Sequence, residues 1–309
     1  MKKIILVTGA TGAQGGSVAR ALLAQNKFRV RILTRNAGSE KSLELMESGA
    51  QIAQGDMNDS ESLQLAMKDC YGVFGVTNFW EHFDTEYTHG KNLIDAVANS
   101  GINHFVFHTL PNYQQLSNGK FAVPHCDIKA ALQNYTTQLG LPATFVHLAF
   151  YYENFFNFFP LQPDGKDSYQ FGFPQGETKL AMASVEDLGG VVATIFDNAE
   201  IYTGRTVGVV GDDESCHTYA RIMTHVLQKN IQYRYIPREV FAGFNFPGAE
   251  ELANMFEVQR LHILNRRQDL VESYAMNSDM QSFEKWLTKN KSRFDSYFQL
   301  VSDRREITV

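Results

Sequence analysis

The stretch Val7-Thr8-Gly9-Ala10-Thr11-Gly12-Ala13-Gln14-Gly15-Gly16 decides how this chain is read. It follows the apolar run Ile4–Val7 and leads into Ser17-Val18-Ala19-Arg20-Ala21-Leu22-Leu23, where apolar residues recur at helical spacing. Strand, glycine turn and helix in that order begin a βαβ unit. The spacing Gly9-x-x-Gly12-x-x-Gly15 gives each glycine a task. Gly9 makes the tight turn out of the strand, Gly12 lets backbone approach a pyrophosphate, and Gly15 lets helix and strand pack closely. The helix N-terminus adds free N–H groups and a partial positive charge. Thr11, Ala13 and Gln14 complete the candidate phosphate-binding loop. No lysine follows Gly15 or Gly16, so the loop is not that of an NTPase.

Outward from the loop, two periodicities alternate through residue 150. Strand patterns lie at 4–8, 29–34, 51–54, 73–76, 104–108 and 144–148. Helical patterns lie at 15–25, 40–48, 60–67, 86–99 and 127–139. The expected fold is α/β, a doubly wound parallel Rossmann sheet. After Phe150 the rhythm changes to the aromatic run Phe150-Tyr151-Tyr152-Glu153-Asn154-Phe155-Phe156, then glycine- and proline-containing loops. Strands at 179–183 and 206–210, helices at 185–197 and 219–227, and a mostly helical end from Arg238 follow. The expected organisation is a dinucleotide-binding domain over 1–150. A smaller C-terminal α/β region over 151–309 packs on it.

Composition narrows the function. The 309 residues are 44% hydrophobic and 20% charged, with a net charge of −6. An acidic balance argues against direct nucleic-acid binding, which needs a basic face. No apolar stretch reaches the roughly 18 residues of a membrane span, and the chain begins in a strand, so no signal peptide is read. Three scattered cysteines, Cys70, Cys126 and Cys216, suggest neither a disulfide framework nor a metal site. A cytoplasmic, membrane-free protein is the expectation. His104 and His108 share a strand face with no further ligand at metal spacing, so no metal is expected.

The nucleotide is read from the end of the second strand. NAD-binding folds keep an acid there for the ribose 2′-hydroxyl. This chain has Thr34-Arg35-Asn36 instead. A carboxylate repels a 2′-phosphate, whereas Arg35 pairs with it through two parallel hydrogen bonds, so NADP is the expected cofactor. Lys41 is placed to assist. Asp56, after the third strand, sits where such folds contact adenine; its other reading is a neighbour of a helix N-cap.

The strings "TGATGAQGGSVARALL", "VRILTRN", "QGDMND", "VTNFWE", "HCDIKAALQNY", "YYENFF" and "FPGAEELANMF" resemble the NmrA-like family of atypical short-chain dehydrogenases/reductases. They are most similar to its redox-sensor branch. The resemblance implies a six-stranded Rossmann domain with a small α/β domain, and NADP binding. It also implies regulators that sense the cofactor rather than turn it over. Catalytic relatives carry Tyr-x-x-x-Lys on the helix after the fifth strand. Here that position reads His125-Cys126-Asp127-Ile128-Lys129. Lys129 is carried over as the contact to the nicotinamide ribose, and as a catalytic candidate. His125 replaces the tyrosine; its ordinary pKa near 6.5 suits proton transfer near neutrality. Thr109 stands where the catalytic family keeps a Ser or Thr.

The same resemblance places Tyr151, Tyr152, Glu153 and Asn154 over the nicotinamide end, with Thr77, Asn78 and Phe79 nearby. Thr88 holds the place of a lysine of the sensor branch, so no lysine contact is transferred. Phe155, Phe156, Phe158 and Phe159 either line an apolar pocket or staple the small region to the sheet, the second being favoured. Two functions from different classes follow. The leading one is an NADP(H)-binding redox sensor or regulator that lacks the usual tyrosine proton donor and is read by a regulatory protein partner. The alternative is an NADPH-dependent reductase of quinones or similar flat carbonyl compounds. A scaffold with a vestigial site is a third, lesser reading. Monomer and homodimer stay open.

Overall fold

A computed structural model describes residues 2–165 and 167–307. The first half runs β1 (Ile4–Val7), α1 (Ala13–Gln25), β2 (Arg29–Thr34), α2 (Glu40–Glu47), β3 (Gln51–Gln54) and α3 (Ser60–Met67). It continues through β4 (Cys70–Gly75), α4 (Glu86–Asn99), β5 (His104–His108), α5 (Tyr113–Leu116), α6 (Pro124–Gln138) and β6 (Ala143–Leu148). The second half contains β7 (Phe150–Tyr151), β8 (Gln162–Pro163), β9 (Ser168–Phe173), β10 (Lys179–Ala183), α7 (Leu188–Asp197) and α8 (Ala199–Tyr202). Then come β11 (Thr206–Val209), β12 (Asp212–Ser215), α9 (Cys216–Leu227), β13 (Asn230–Tyr235), α10 (Arg238–Ala242) and α11 (Ala249–His262). The end is α12 (Arg267–Met276), α13 (Phe283–Lys289) and α14 (Lys291–Ile307).

The central sheet is parallel, with strand order β11-β6-β5-β4-β1-β2-β3. The order reverses between β1 and β4. That reversal opens a crevice at the carboxyl ends of the strands, where such folds bind ligands. Helices cover both faces, so the strands are buried on both sides and read as near-continuous apolar runs, Ile4-Ile5-Leu6-Val7 being wholly buried. One face packs on α1 and α7, through Val18, Leu22, Val191 and Ile195. The other packs on α3, α4 and α6, through Leu63, Leu93 and Leu132.

The doubly wound α/β fold is as expected, with two differences of detail. The sheet has seven strands where the resemblance implied six, because β11 pairs in parallel with β6, Thr206 opposite Phe145 through Val209 opposite Leu148. The chain also recrosses the expected division at residue 150, since β11 and α7 both complete the first layer system. Val207 and Val209 of β11 and Val191 and Ile195 of α7 are buried in the same core as Val18 of α1 and Val146 of β6. Two three-stranded sheets, β12-β10-β7 and β13-β9-β8, form the C-terminal part. Strands β9 and β13 went unread in the sequence. β9 alternates half-buried and buried residues and β13 alternates exposed and buried ones as far as Tyr233, but they pair with each other across 62 residues, Asn230 opposite Ser168 through Tyr235 opposite Phe173. Glycine- and proline-bearing flanks hide β9.

Aromatic side chains dominate the C-terminal core. Phe173 stacks on Phe256 at 4.7 Å, and Phe283 on Trp286 at 5.9 Å. Phe155 and Phe156 join that core, as the stapling reading held. His104 is a core residue on Thr144 (2.8 Å), and burial holds its pKa down near 4. Among the described residues no three His, Cys, Asp or Glu side chains cluster at metal-binding spacing, and no helix is long and apolar enough to cross a membrane.

The two halves are fastened at Ser17 of α1. Its hydroxyl donates to the Glu186 carbonyl (2.7 Å) and accepts from the Gly189 backbone N–H (2.9 Å). A Cβ on Gly189 would lie 2.3 Å from the Ser17 carbonyl oxygen, so α1 and α7 touch backbone to backbone. Ser17→Ala strands that buried N–H. Urea denaturation should show a loss of about 1–3 kcal/mol, with the fold retained.

Candidate functional site

The crevice at the switch between β1 and β4 is a cleft of about 880 Å³, toward the upper end of ligand-pocket sizes. Its floor is the glycine loop. Gly9 turns at φ +59°, and a Cβ on Gly15 would meet the Gly9 and Thr8 backbone at 2.4 Å. Only glycine lets α1 start this close to β1. The helix opens without a side-chain cap and without an acidic residue in its first turn, so its first N–H groups are left for a ligand. Gly9, Thr11, Gly12, Ala13, Gln14 and Gly15 all line the cleft. This cradle, which any side chain would fill, fits a pyrophosphate.

At one end stand the residues expected at the adenosine ribose. The Arg35 guanidinium is half-exposed and bonded to the Glu81 carboxylate (2.7 Å), which also accepts from Asn78 (3.1 Å). The Arg35 hydrogen bond, against some desolvation, holds the Glu81 carboxyl below the usual carboxylate range. Lys41 reaches the Thr11 carbonyl at 3.2 Å. Asp56 lines the cleft and accepts from the Asn58 N–H (2.8 Å); Asp59 is the N-cap of α3.

At the other end, α6 starts at Pro124, three residues earlier than its sequence pattern suggested. His125 therefore sits in its first turn with Lys129 one turn on, on the same face. Lys129 is buried. Its ammonium donates to the Thr77 hydroxyl (2.9 Å) and pairs with the fully buried Glu86 of α4. The Glu86 Oε2 and the Gln14 Oε1 are buried without a hydrogen-bond partner, the kind of orphan that a ligand or water satisfies. The Tyr151 hydroxyl accepts from Gln14 Nε2 at 2.5 Å, and Asn78 and Asn154 line the same space.

His125 is held by a residue from the far end of the chain. Its backbone N–H and its Nδ1 both meet the Glu251 carboxylate of α11, at 2.7 and 2.6 Å. Phe79 and Trp80 flank the imidazole, with ring centroids 5.9 and 5.5 Å away. The cleft continues past this point into a chamber lined by Phe150, Phe158, Phe159, Leu252 and Met255. His108 lies in the wall, with neither ring nitrogen bonded. Burial, with Lys129 and His147 nearby, keeps it neutral.

Two expected contacts lie elsewhere. Tyr152 is fully buried in the aromatic C-terminal core beside Phe283 and Trp286, and Glu153 accepts from Ser184 (2.7 Å), Val185 N–H (3.1 Å) and Trp286 (3.0 Å). The strand-to-turn geometry at β7 explains this: Tyr151 faces the cleft, and the next two side chains turn away. Thr109 bonds Gln133 (2.6 Å), away from the cleft. Phe158 and Phe159 line the chamber, so the phenylalanine run divides between packing and lining. The sequence reading missed Glu81, Glu86 and Glu251. The first and third lie within the quoted strings "VTNFWE" and "FPGAEELANMF", but nothing local marks their partners.

Residues 1–288 match the model of the NmrA-like family. An NmrA-like family domain-containing protein of Dictyostelium discoideum is 30% identical over 305 residues, 96% of this chain and all of that one. The NmrA-like family domain-containing oxidoreductase FrzB of a Cladobotryum species is 30% identical over 280 residues, 83% of each chain. Among solved structures, the negative transcriptional regulator NmrA superposes with a TM-score of 0.82 at 22% identity, covering 96% of this chain and 97% of that one. NmrA has been solved with NADP and with NAD. The likeness is of fold: an NmrA-like dinucleotide-binding architecture.

The buried Lys129–Glu86 pair makes a test independent of any ligand. Removing one partner leaves a desolvated charge, so Lys129→Met should cost about 3–5 kcal/mol in chemical denaturation. Lys129→Met with Glu86→Gln should recover most of it, because no charge is then left buried.

Proposed function

The chain belongs to the NmrA-like family, and from that premise we propose that it is an NADPH-dependent reductase of flat, apolar carbonyl compounds such as quinones. One observation carries the reading: the cleft that holds the glycine loop is also walled by Phe150, Phe158, Phe159, Leu252 and Met255, and it includes His125, fastened to Glu251. Phe155, which could have plugged it, is turned into the C-terminal core. Aromatic and aliphatic walls with a few convergent polar groups are what a flat substrate needs. The oxidoreductase name of the Cladobotryum relative points the same way.

Bound NADPH supplies a hydride. The glycine loop and the uncapped start of α1 hold the pyrophosphate, and Arg35 with Lys41 holds the 2′-phosphate. Lys129, already desolvated and aimed by Thr77 and Glu86, holds the nicotinamide ribose. Tyr151, Asn78 and Asn154 close over that end. No tyrosine stands one helical turn before Lys129, so the proton comes from His125. With Nδ1 donating to Glu251, Nε2 is the ring nitrogen left to face a substrate, and the proton it gives is that of the imidazolium, which returns to the neutral ring and regains a proton from solvent. Phe79 and Trp80 pack beside the imidazole and cover part of it. A quinone is reactive enough to ask for modest acid assistance, which suits a histidine in place of the usual pair.

The sensor reading keeps one observation of its own. Residues 78–81 reach both ends of the cleft: Glu81 holds Arg35, while Trp80 packs on His125. A dinucleotide that takes over the guanidinium frees Glu81, and a partner protein can read the loop.

The two readings part in one assay, NADPH consumption with a panel of quinones and aldehydes. The reductase consumes NADPH steadily, and His125→Ala slows it about 100-fold, as loss of a general acid does. Measured NADPH binding with no consumption by any acceptor overturns the reductase and leaves the sensor. The cofactor assignment is checked separately. Arg35→Glu should weaken NADPH about 100-fold and NADH far less, since only the phosphate meets a reversed charge; equal losses refute NADP as the cofactor.

A further inference from the structure

We propose that Glu81 sets the balance between the two pyridine dinucleotides, serving from the loop after β4 as the ribose-reading acid that β2 lacks. The inference rests on the cofactor reading above and deepens it.

In NAD-binding doubly wound folds the acid that accepts the ribose 2′-hydroxyl stands at the end of β2. This chain ends β2 at Thr34 and continues with Arg35 and Asn36. The fold nevertheless brings a carboxylate to that corner, from 46 residues downstream. Glu81 Oε1 lies 2.7 Å from Arg35 Nη2, and Asn78 Nδ2 holds Oε2 at 3.1 Å. His82 Nε2 stands 3.6 Å from Oε1. Asp56 is the other acid that Arg35 feels. Arg35, Glu81, Asn78, His82 and Asp56 all line the cleft. The carboxylate is thus positioned by an amide on its own loop and is not simply a solvated charge that meets the arginine.

The chemistry on each cofactor is opposite. NADPH brings a doubly charged 2′-phosphate, which must exchange with Glu81 on the guanidinium and is repelled by it if it stays. NADH brings a 2′-hydroxyl, which donates a charge-assisted hydrogen bond to the same carboxylate and leaves the Arg35 pair intact. Arg35 pulls toward the phosphate, and Glu81 pulls back. The native site therefore accepts both dinucleotides with moderate discrimination, and the exposed ion pair is weak enough to exchange.

The test is calorimetry on the full chain with NADPH and NADH, and with the fragments 2′,5′-ADP and 5′-AMP, which read the adenosine end alone. Glu81→Gln keeps the shape and an oxygen for Asn78 and removes the charge. It should tighten NADPH and 2′,5′-ADP about fivefold, the factor an exposed ion pair of ordinary strength contributes. NADH and 5′-AMP should weaken about threefold, the difference between a charged and a neutral acceptor. The tightening should shrink at high salt. A Glu81→Gln protein whose NADPH-to-NADH affinity ratio stays within about twofold of the native one overturns the assignment, with the cofactor site itself intact. If the native protein binds no dinucleotide at all, the cofactor reading fails and takes this inference with it.

Discussion

The close approach of α1 to β1 at Gly9 and Gly15 is the constraint on which the rest depends. A Cβ on Gly15 would sit 2.4 Å from backbone atoms of the preceding strand and turn. With hydrogen there, the helix begins directly above the strand's carboxyl end and offers its first N–H groups to the crevice. The same placement sets the position of Ser17, and through it the docking of α7 and the C-terminal half. An uncapped helix start that faces the crevice and an inter-region fastening therefore share one short helix. Strain at the first would be felt at the second.

The cleft itself is organised by charge balance. Three basic side chains mark its length, and each is met by a glutamate from a distant segment. Arg35 of the β2 end meets Glu81, Lys129 of α6 meets Glu86 of α4, and His125 meets Glu251 of α11. The pairs differ in burial and so in consequence. Arg35–Glu81 is half-exposed, cheap to open, and suited to exchange with a ligand. Lys129–Glu86 is buried, costly to break, and suited to holding an ammonium in one place. His125–Glu251 lies between these, with a carboxylate that takes both a helix N–H and an imidazole nitrogen. The glutamates supply what the basic residues alone cannot: orientation, and a defined state before any ligand arrives.

The C-terminal half earns its place by closing the crevice. Its sheets and aromatic core support α11, from which Leu252 and Met255 reach the cleft and Glu251 holds His125, while Phe256 is anchored on Phe173. The apolar residues of α11 divide between core and chamber, Phe256 packing inward and Leu252 and Met255 lining the cleft. The aromatic run after Phe150 divides in the same way. Tyr151, Asn154, Phe158 and Phe159 face the cleft; Tyr152, Glu153, Phe155 and Phe156 do not. A short strand followed by the 3₁₀ turn Tyr152–Phe155 brings Tyr151 and Asn154, three residues apart, to the cleft and turns the two between them away, which strand alternation in the sequence does not reveal.

Local patterns were enough for the glycine turn and for the basic residue at the end of β2, each written within ten residues or so, and their alternation over 150 residues was enough for the doubly wound sheet; the His125-to-Lys129 turn of α6 was legible only through the family resemblance, since the helical pattern began at residue 127. The strand run and the helical spacing around Gly9–Gly15 depend only on backbone sterics and apolar burial, which neighbouring residues settle among themselves. What only the tertiary structure decided are pairings between distant segments: β11 against β6, β9 against β13, and the glutamate partners of Arg35, Lys129 and His125. A carboxylate on a helix face or a loop looks alike in the sequence whether it faces water or a guanidinium. The pairing is chosen by how whole layers pack.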